Sequence, residues 1–505
     1  MRLRKIPLVW SFALILMLVS YLRWLGPAVS PYAGGSDSSG YLWSARLFRE
    51  GRLSVRVSLP QRFPVDATGT AVLAPLGGAM RPETMDLVPT YPTGLPLHIA
   101  AASLFLDEER AVRSVLLFGV AGALWLLYLI GRDAGLPRVW AAAGSGMLAC
   151  SPLFLFSAVQ PASDVLATFW AEAAVLCAWR SRRRPALAYL AGGSLGIATL
   201  VRPTNLILLL PVLAALTPSA GSCVRLAGGG LPSAAFVLAY QSWAYGGPLR
   251  SGYGSVSALF AWSALLPSLS HYLRWGPQLA SWLVAFAPAA AWLWRGDLAR
   301  WRLVGAAWIL ATFGTYAFYA VTAETWWYMR YVLPGFPILI VAGLAGLRVT
   351  AHAAASRAGR PWAARASGAV ACAVVIVSAG ALLRSPSFAE HRAVKARERV
   401  YRDAVAVMGD DTALPHPVLM SQLSGAASYY RPGIQLIRFD LLTAEGWRAV
   451  REWQRRERLP IGAALFGFER DGLFNRPDFG PPCEWQPRGH YLDVTFWGCP
   501  PPGRQ

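Results

Sequence analysis

The sequence predicts a polytopic α-helical membrane protein of about eleven transmembrane helices, with a small C-terminal α/β domain on the extracytoplasmic side. Three observations predict it. Of 505 residues, 55% are hydrophobic and only 15% charged, against about a quarter charged in soluble domains. Apolar runs near the length of about 20 residues that a membrane-crossing helix needs recur along the chain. Arginine clusters fall between those runs in alternation, as the positive-inside rule requires.

The runs lie near 6–26, 111–131, 139–158, 161–179, 186–201, 203–217, 226–244, 277–294, 303–321, 331–348 and 367–384. The first, from Ile6 to Gly26, is long and has no small-x-small site before Pro27, so it reads as an uncleaved helix rather than a signal peptide. Arg2-Arg4-Lys5, Arg132/Arg138, Arg180 with Arg182–Arg184, Arg225, Arg295/Arg300/Arg302 and Arg348/Arg357/Arg360/Arg365 mark the cytoplasmic loops. The loops 27–110 and 245–276 and the tail then lie outside. The stretch 186–217 holds Arg202-Pro203. Read as one span it would invert every later loop; two short helices hinged there keep all arginine clusters inside.

Two domains follow: 1–384, transmembrane and including the outer loop 27–110, and 385–505, soluble and extracytoplasmic. The tail reads as strands at 417–422, 434–439, 461–468 and 491–497 with a helix over 443–458 that carries Trp447, Val450 and Trp453 at helical spacing. Its plainest role is as a packing or lid module.

Composition excludes several classes. The net charge of +20 is almost all arginine, with Lys5 and Lys395 the only lysines. Because it sits in short loops it sets orientation rather than binding nucleic acid. No CxxC or His-rich metal pattern occurs. Only Cys483 and Cys499 share a non-membrane segment, which allows a disulfide in an oxidising compartment.

Ionisable residues at or near membrane depth are functional candidates, because burying them without a partner is costly. Asp37 follows the first helix, Asp164 sits in the outer turn after Gln160, and Arg202 at the tip of the hinged hairpin. Arg250 and Tyr253 occupy a Gly-rich loop, and Glu324 and Arg330 the turn before the tenth run. All fall on the outer face. Carboxylates with arginines suit a site that deprotonates a hydroxyl and holds a phosphate, whose oxygens match the guanidinium fork. Each residue also has a plainer role: Asp37 and Asp164 as helix caps, Arg202 and Arg330 snorkelling to headgroups, Arg250 and Glu324 as solvated charges.

Asp37-x-x-x-Tyr41 with Ala45-Arg46 and Arg49-Glu50-Gly51, then Tyr91-Pro92-Thr93-Gly94, then Leu200-Val201-Arg202-Pro203-Thr204, Gly247-Pro248-Leu249-Arg250-Ser251-Gly252-Tyr253 and Arg330-Tyr331-x-x-Pro334, in that order, resemble GT-C glycosyltransferases. The aminoarabinose transferases that modify lipid A and the protein O-mannosyltransferases belong there. The resemblance covers roughly residues 1–350. It implies a bacterial inner-membrane enzyme that moves a sugar from a polyprenyl-phosphate donor to a cell-envelope glycan, lipid or protein, with inversion. Asp37 would be the general base, and Asp164 would orient the acceptor or help hold a divalent cation. Tyr41, Tyr91, Arg202, Arg250, Tyr253, Glu324 and Arg330 would bind substrate. Aminoarabinose transferases typically carry Asp-Glu-x-Arg-Tyr where this chain has Asp37-Ser38-Ser39-Gly40-Tyr41, so the donor sugar stays open. The rival classes are a transporter or flippase for a lipid-linked substrate and a non-catalytic assembly protein. Transporters often show paired halves with broken helices, and here only one hairpin is broken.

Overall fold

The computed structural model describes residues 8–57, 59–81, 84–254, 259–358, 361–410, 414–479 and 483–501; Arg2, Arg4, Lys5 and Arg360 of the basic clusters lie outside them. Contacts divide the chain into two compact units. One comprises Met1–Val29, Arg113–Val237 and Ser255–Val394, the other Ser30–Val112, Leu238–Gly254 and Lys395–Gln505.

The first unit is helical, and the chain is a multi-pass membrane protein. Five helices among the described residues are long and apolar enough to cross a bilayer: Trp10–Ala28, Glu108–Asp133, Ala220–Tyr245, Trp326–Arg357 and Ala366–Arg384. A sixth span results if Arg138–Ala149 and Pro152–Ala158, bent by 62°, count as one. Other expected spans are shorter or interrupted. Leu187–Val201 stops at the hinge, Pro203–Leu208 and Trp282–Ala289 are 3₁₀ turns, and Leu310–Gly314 is a π-turn. Asp164–Ser181 carries Asp164, Glu172 and Arg180 within its length. Proline accounts for the hinge: it removes a backbone donor and pushes the residue before it out of the helical region. Arg202 accordingly has φ −151° and ψ 107°.

Glycine sets how closely these helices pack. A Cβ on Gly192 would lie 1.9 Å from the Leu226 carbonyl oxygen, and one on Gly229 2.0 Å from that of Tyr189. A Cβ on Gly346 would meet the Phe286 carbonyl oxygen at 1.8 Å. Lipid supplies no hydrophobic drive between helices, so close backbone approach through small residues supplies the attraction instead.

The second unit contains two sheets. Strands β1 (Val55–Arg56), β2 (Gly78–Met80) and β3 (Asp86–Pro89) form an antiparallel sheet in the order β1-β3-β2. Strands β4 (Val418–Met420), β5 (Leu436–Arg438), β6 (Ile461–Phe466), β7 (Gln486–Tyr491) and β8 (Val494–Cys499) form a mixed sheet, β5-β4-β6-β8-β7. Strand β4 pairs parallel with both β5 and β6, and β8 antiparallel with β6 and β7. Alternate residues face opposite sides of the strands. Leu419, Ile437, Ile461 and Leu465 pack with Trp447, Val450 and Trp453 of the helix Ala444–Glu457, together with Phe63, Val72 and Leu73 of the first loop. Val418, Met420, Ala464 and Phe496 pack with Ala404, Val405 and Met408 of the helix Pro386–Asp410. Cys483 and Cys499 form a disulfide with Cα atoms 6.1 Å apart.

Candidate active site

Within the second unit, Asp37 sits in the first turn of the helix Ser36–Arg49. A carboxylate is favoured at a helix N-terminus, which suits this position. Gly35 is the N-cap and no side chain caps the helix, so Asp37 is not used as the cap. Asp37 is half-buried and hydrogen-bonds the Tyr91 phenol. The Tyr91 hydroxyl also lies 2.6 Å from Ser36 Oγ. Burial first, then the Asp37 charge, push the Tyr91 hydroxyl well above its ordinary range. The Tyr41 and Tyr253 rings pack on Tyr91, with centroids 5.0 and 5.8 Å away. Aromatic rings beside a carboxylate offer an apolar face and hydroxyl partners to a sugar.

Gly40, where the resembled transferases carry Arg, is pressed against Tyr91 and Gly77. A Cβ there would meet the Tyr91 ring at 2.3 Å and the Gly77 Cα at 2.9 Å, which leaves no room for a side chain. Ser38, the other departure, is buried and hydrogen-bonds Glu398 of the helix Pro386–Asp410. Glu398 also accepts from the Gly34 amide at 3.0 Å and the Gly35 amide at 3.5 Å. Burial is the main cause that raises the Glu398 carboxyl to about 7, and the Asp37 charge adds to it.

Arg46 of the same helix is structural. Its Nη2 meets Glu108 at 3.1 Å and its Nη1 donates to the Tyr429 carbonyl at 2.7 Å, with the guanidinium 3.8 Å above the Tyr429 ring. The Tyr429 hydroxyl donates to Glu108. His98 Nδ1 is 2.7 Å from the Gly94 carbonyl of its own helix, and burial lowers the ring's pKa.

A second cluster forms within the first unit at the hinge. Arg202 Nη1 donates to Asp164 Oδ1 at 2.6 Å and to the Arg330 carbonyl at 3.2 Å. Asp164 is buried at the start of the helix Asp164–Ser181, whose N-cap is Ser163. The Arg202 and Arg330 guanidinium carbons lie 5.1 and 5.7 Å from the Tyr331 ring. Tyr331 stacks on Tyr316, whose hydroxyl donates to Thr204 at 2.5 Å. Guanidinium groups gathered in this way are suited to binding phosphate oxygens.

Arg250 and Glu324 are exposed and form no ion pair among the described residues. The structure thus groups Asp37 with Tyr41, Tyr91 and Tyr253, and Asp164 with Arg202 and Arg330. It adds Glu398, Tyr316 and Tyr331, which sequence reasoning missed. Tyr331 lay in a quoted motif, whereas Glu398 stands in an Arg-rich helix with no local mark of its role. Glu172, two turns beyond Asp164, is fully buried, and among the described residues both its carboxyl oxygens lack hydrogen-bond partners. Among the described residues no three His, Cys, Asp or Glu side chains converge to hold a metal ion.

No family model matches this chain, and no curated protein does. Solved structures do. The ArnT structure from Cupriavidus metallidurans bound to undecaprenyl phosphate is 12% identical, with 98% of each chain covered and a TM-score of 0.52. Its apo form is 13% identical over 97% of this chain and 98% of that one, with the same TM-score. The Archaeoglobus fulgidus oligosaccharyltransferase AglB, in complex with an inhibitory peptide and a dolichol-phosphate, is 12% identical over 88% of this chain and 69% of that one, at a TM-score of 0.50. Over 98% of its length, then, the chain has the fold of the ArnT structure bound to undecaprenyl phosphate.

Proposed function

We propose that this protein is a lipid-linked glycosyltransferase of the bacterial inner membrane, with eleven spans, a cytoplasmic N-terminus and an extracytoplasmic tail. It takes a sugar from a polyprenyl-phosphate donor and passes it, with inversion, to a hydroxyl of a cell-envelope glycan, lipid or protein. The observation that carries the reading is the hinge cluster, where Asp164 and the Arg330 carbonyl hold Arg202 and the Arg202 and Arg330 guanidinium groups lie against the Tyr331 ring. The similar structures with undecaprenyl phosphate and dolichol-phosphate support it. The disulfide of the tail supports an oxidising compartment for that segment.

In this reading Asp37 removes the proton from the acceptor hydroxyl as the nucleophilic oxygen bonds to the anomeric carbon. The bond from that carbon to the donor phosphate oxygen breaks, and Arg202 and Arg330 stabilise the charge that develops on the leaving lipid phosphate. Asp164 fixes the Arg202 fork by its ion pair. Tyr41, Tyr91 and Tyr253 line the sugar, and Arg250 and Glu324 contact substrate from their exposed turns. The prenyl tail stays in hydrocarbon, which is why a lipid donor and a membrane enzyme belong together.

Native mass spectrometry of the purified protein identifies any bound polyprenyl-phosphate sugar. Turnover is then followed as undecaprenyl phosphate released from a panel of undecaprenyl-phosphate hexoses and pentoses in nanodiscs with envelope acceptors. Asp37→Asn should cut turnover by about a hundredfold or more, the scale of losing a general base, while donor binding holds. Near-normal turnover in that variant would refute the assignment, and a folded wild type that transfers no sugar would favour a flippase or an assembly protein.

A further inference from the structure

We propose that Glu398 is the positioning residue for Asp37, a carboxylate from the tail that clamps the turn on which the base is mounted. The inference rests on the assignment of Asp37 as base. Three donors from one turn converge on Glu398: the Gly34 amide at 3.0 Å, the Gly35 amide at 3.5 Å and the Ser38 hydroxyl. Asp37 stands between Gly35 and Ser38 in the chain, so its backbone is held on both sides. The fit is close. A Cβ on Gly34 would lie 2.3 Å from Glu398 Oε2 and 2.9 Å from its Cα, so the turn accepts the glutamate only while that position is glycine.

The arrangement does more than pack. Amides at a helix N-terminus favour an anion, and an ionised acceptor makes shorter, stronger hydrogen bonds than a neutral one. Ionised Glu398 therefore holds the turn more firmly than protonated Glu398. The other groups facing Glu398 are the Tyr401 and Tyr430 hydroxyls. Arg402, which acts on Tyr430, is committed to Asp403 at 2.8 Å. Tyr430 itself receives the Ala33 amide at 2.8 Å, one residue before the clamped turn. The donors that hold the Glu398 charge include the Gly34 and Gly35 amides and the Ser38 hydroxyl, all of the Asp37 turn itself.

The chemistry gives a sign to test. Burial and Asp37 raise Glu398 to about 7, so it is neutral below that pH and charged above it. Charging Glu398 should raise kcat through a step centred near 7, about ten- to a hundredfold in height, the range of a small change in the placement of a catalytic group. Glu398→Gln keeps a carbonyl oxygen for the amides but never carries charge. It should stay on the lower plateau across the pH range, with the KM for the donor unchanged. Gly34→Ala should remove the same step by displacing the glutamate, and it decides the matter if Glu398→Gln does not fold.

Asp37→Asn is measured beside them with the same undecaprenyl-phosphate sugar. If Asp37→Asn is inactive while Glu398→Gln keeps the wild-type kcat and pH profile, the positioning role is wrong and the base stands. If Gly34→Ala folds with full turnover and an unaltered step, the role is likewise overturned. If Asp37→Asn is fully active, the base assignment fails first and the positioning role with it.

Discussion

At the scale of single residues, the plain and the chemical readings of the charged candidates separate. Neither Asp37 nor Asp164 caps its helix: glycine and serine hold the N-cap positions and the carboxylates point to other partners. Arg202 does not simply reach for headgroups, since one of its nitrogens is shared between Asp164 and the Arg330 carbonyl. Lysine at this position would keep a charge for Asp164 yet lose the planar fork that serves a second acceptor. Arg202→Lys should therefore insert and fold, and bind undecaprenyl phosphate about ten- to a hundredfold more weakly. That is the cost of one charge-assisted hydrogen bond, about 1.5–3 kcal/mol. Titration of undecaprenyl phosphate in nanodiscs reads it, and equal affinity would return Arg202 to the role of a membrane anchor.

At the scale of elements, what was legible in the sequence is what one segment decides for itself. Arg202-Pro203 marks a break because proline acts on its own neighbours, and the helix does end at Val201. The helix Ala444–Glu457 was legible from Trp447, Val450 and Trp453, whose side chains are all buried. Glycine roles were not legible, because a missing Cβ has meaning only against the partner it lets in. Gly192 could pass for a flexible residue until the Leu226 carbonyl is seen against it. Gly192→Leu should accordingly separate the helices Leu187–Val201 and Ala220–Tyr245 and lower the thermal midpoint in detergent markedly, since no rotamer relieves a clash with backbone. Gly146 faces open space, and Gly146→Ala serves as the neutral control. Equal midpoints for the two variants would show that the helices do not rely on that approach.

At the scale of the whole molecule, alternating arginine clusters give a topology that can be read directly. Reporter fusions after Arg184, Arg225 and Arg302 should be cytoplasmic, and fusions at Asp66 and Gly425 extracytoplasmic. A cytoplasmic signal at Gly425 would overturn the eleven-span reading. The sequence could not announce the partnership between the first loop and the tail, because the contacts that make it join residues hundreds of positions apart. Gly34 meets Glu398 across 364 positions, and Trp453 donates to the Gln61 carbonyl across 392. Periodicity reports which face of a segment is buried and is silent about what buries it. That is why Asp37 could be singled out from its own surroundings and Glu398 could not.

The bond from the Ala33 amide to the Tyr430 hydroxyl, 397 positions apart, also sets a clock on biosynthesis. Chains emerge from the ribosome at about 5–20 residues per second, so the amides of the first loop wait roughly 20–80 seconds for the side chains that complete them. Through that interval they have water as partner, and the turn that carries Asp37 has no glutamate to close on. A message that ends between Arg384 and Glu398 leaves the turn that carries Asp37 without the carboxylate that closes on it.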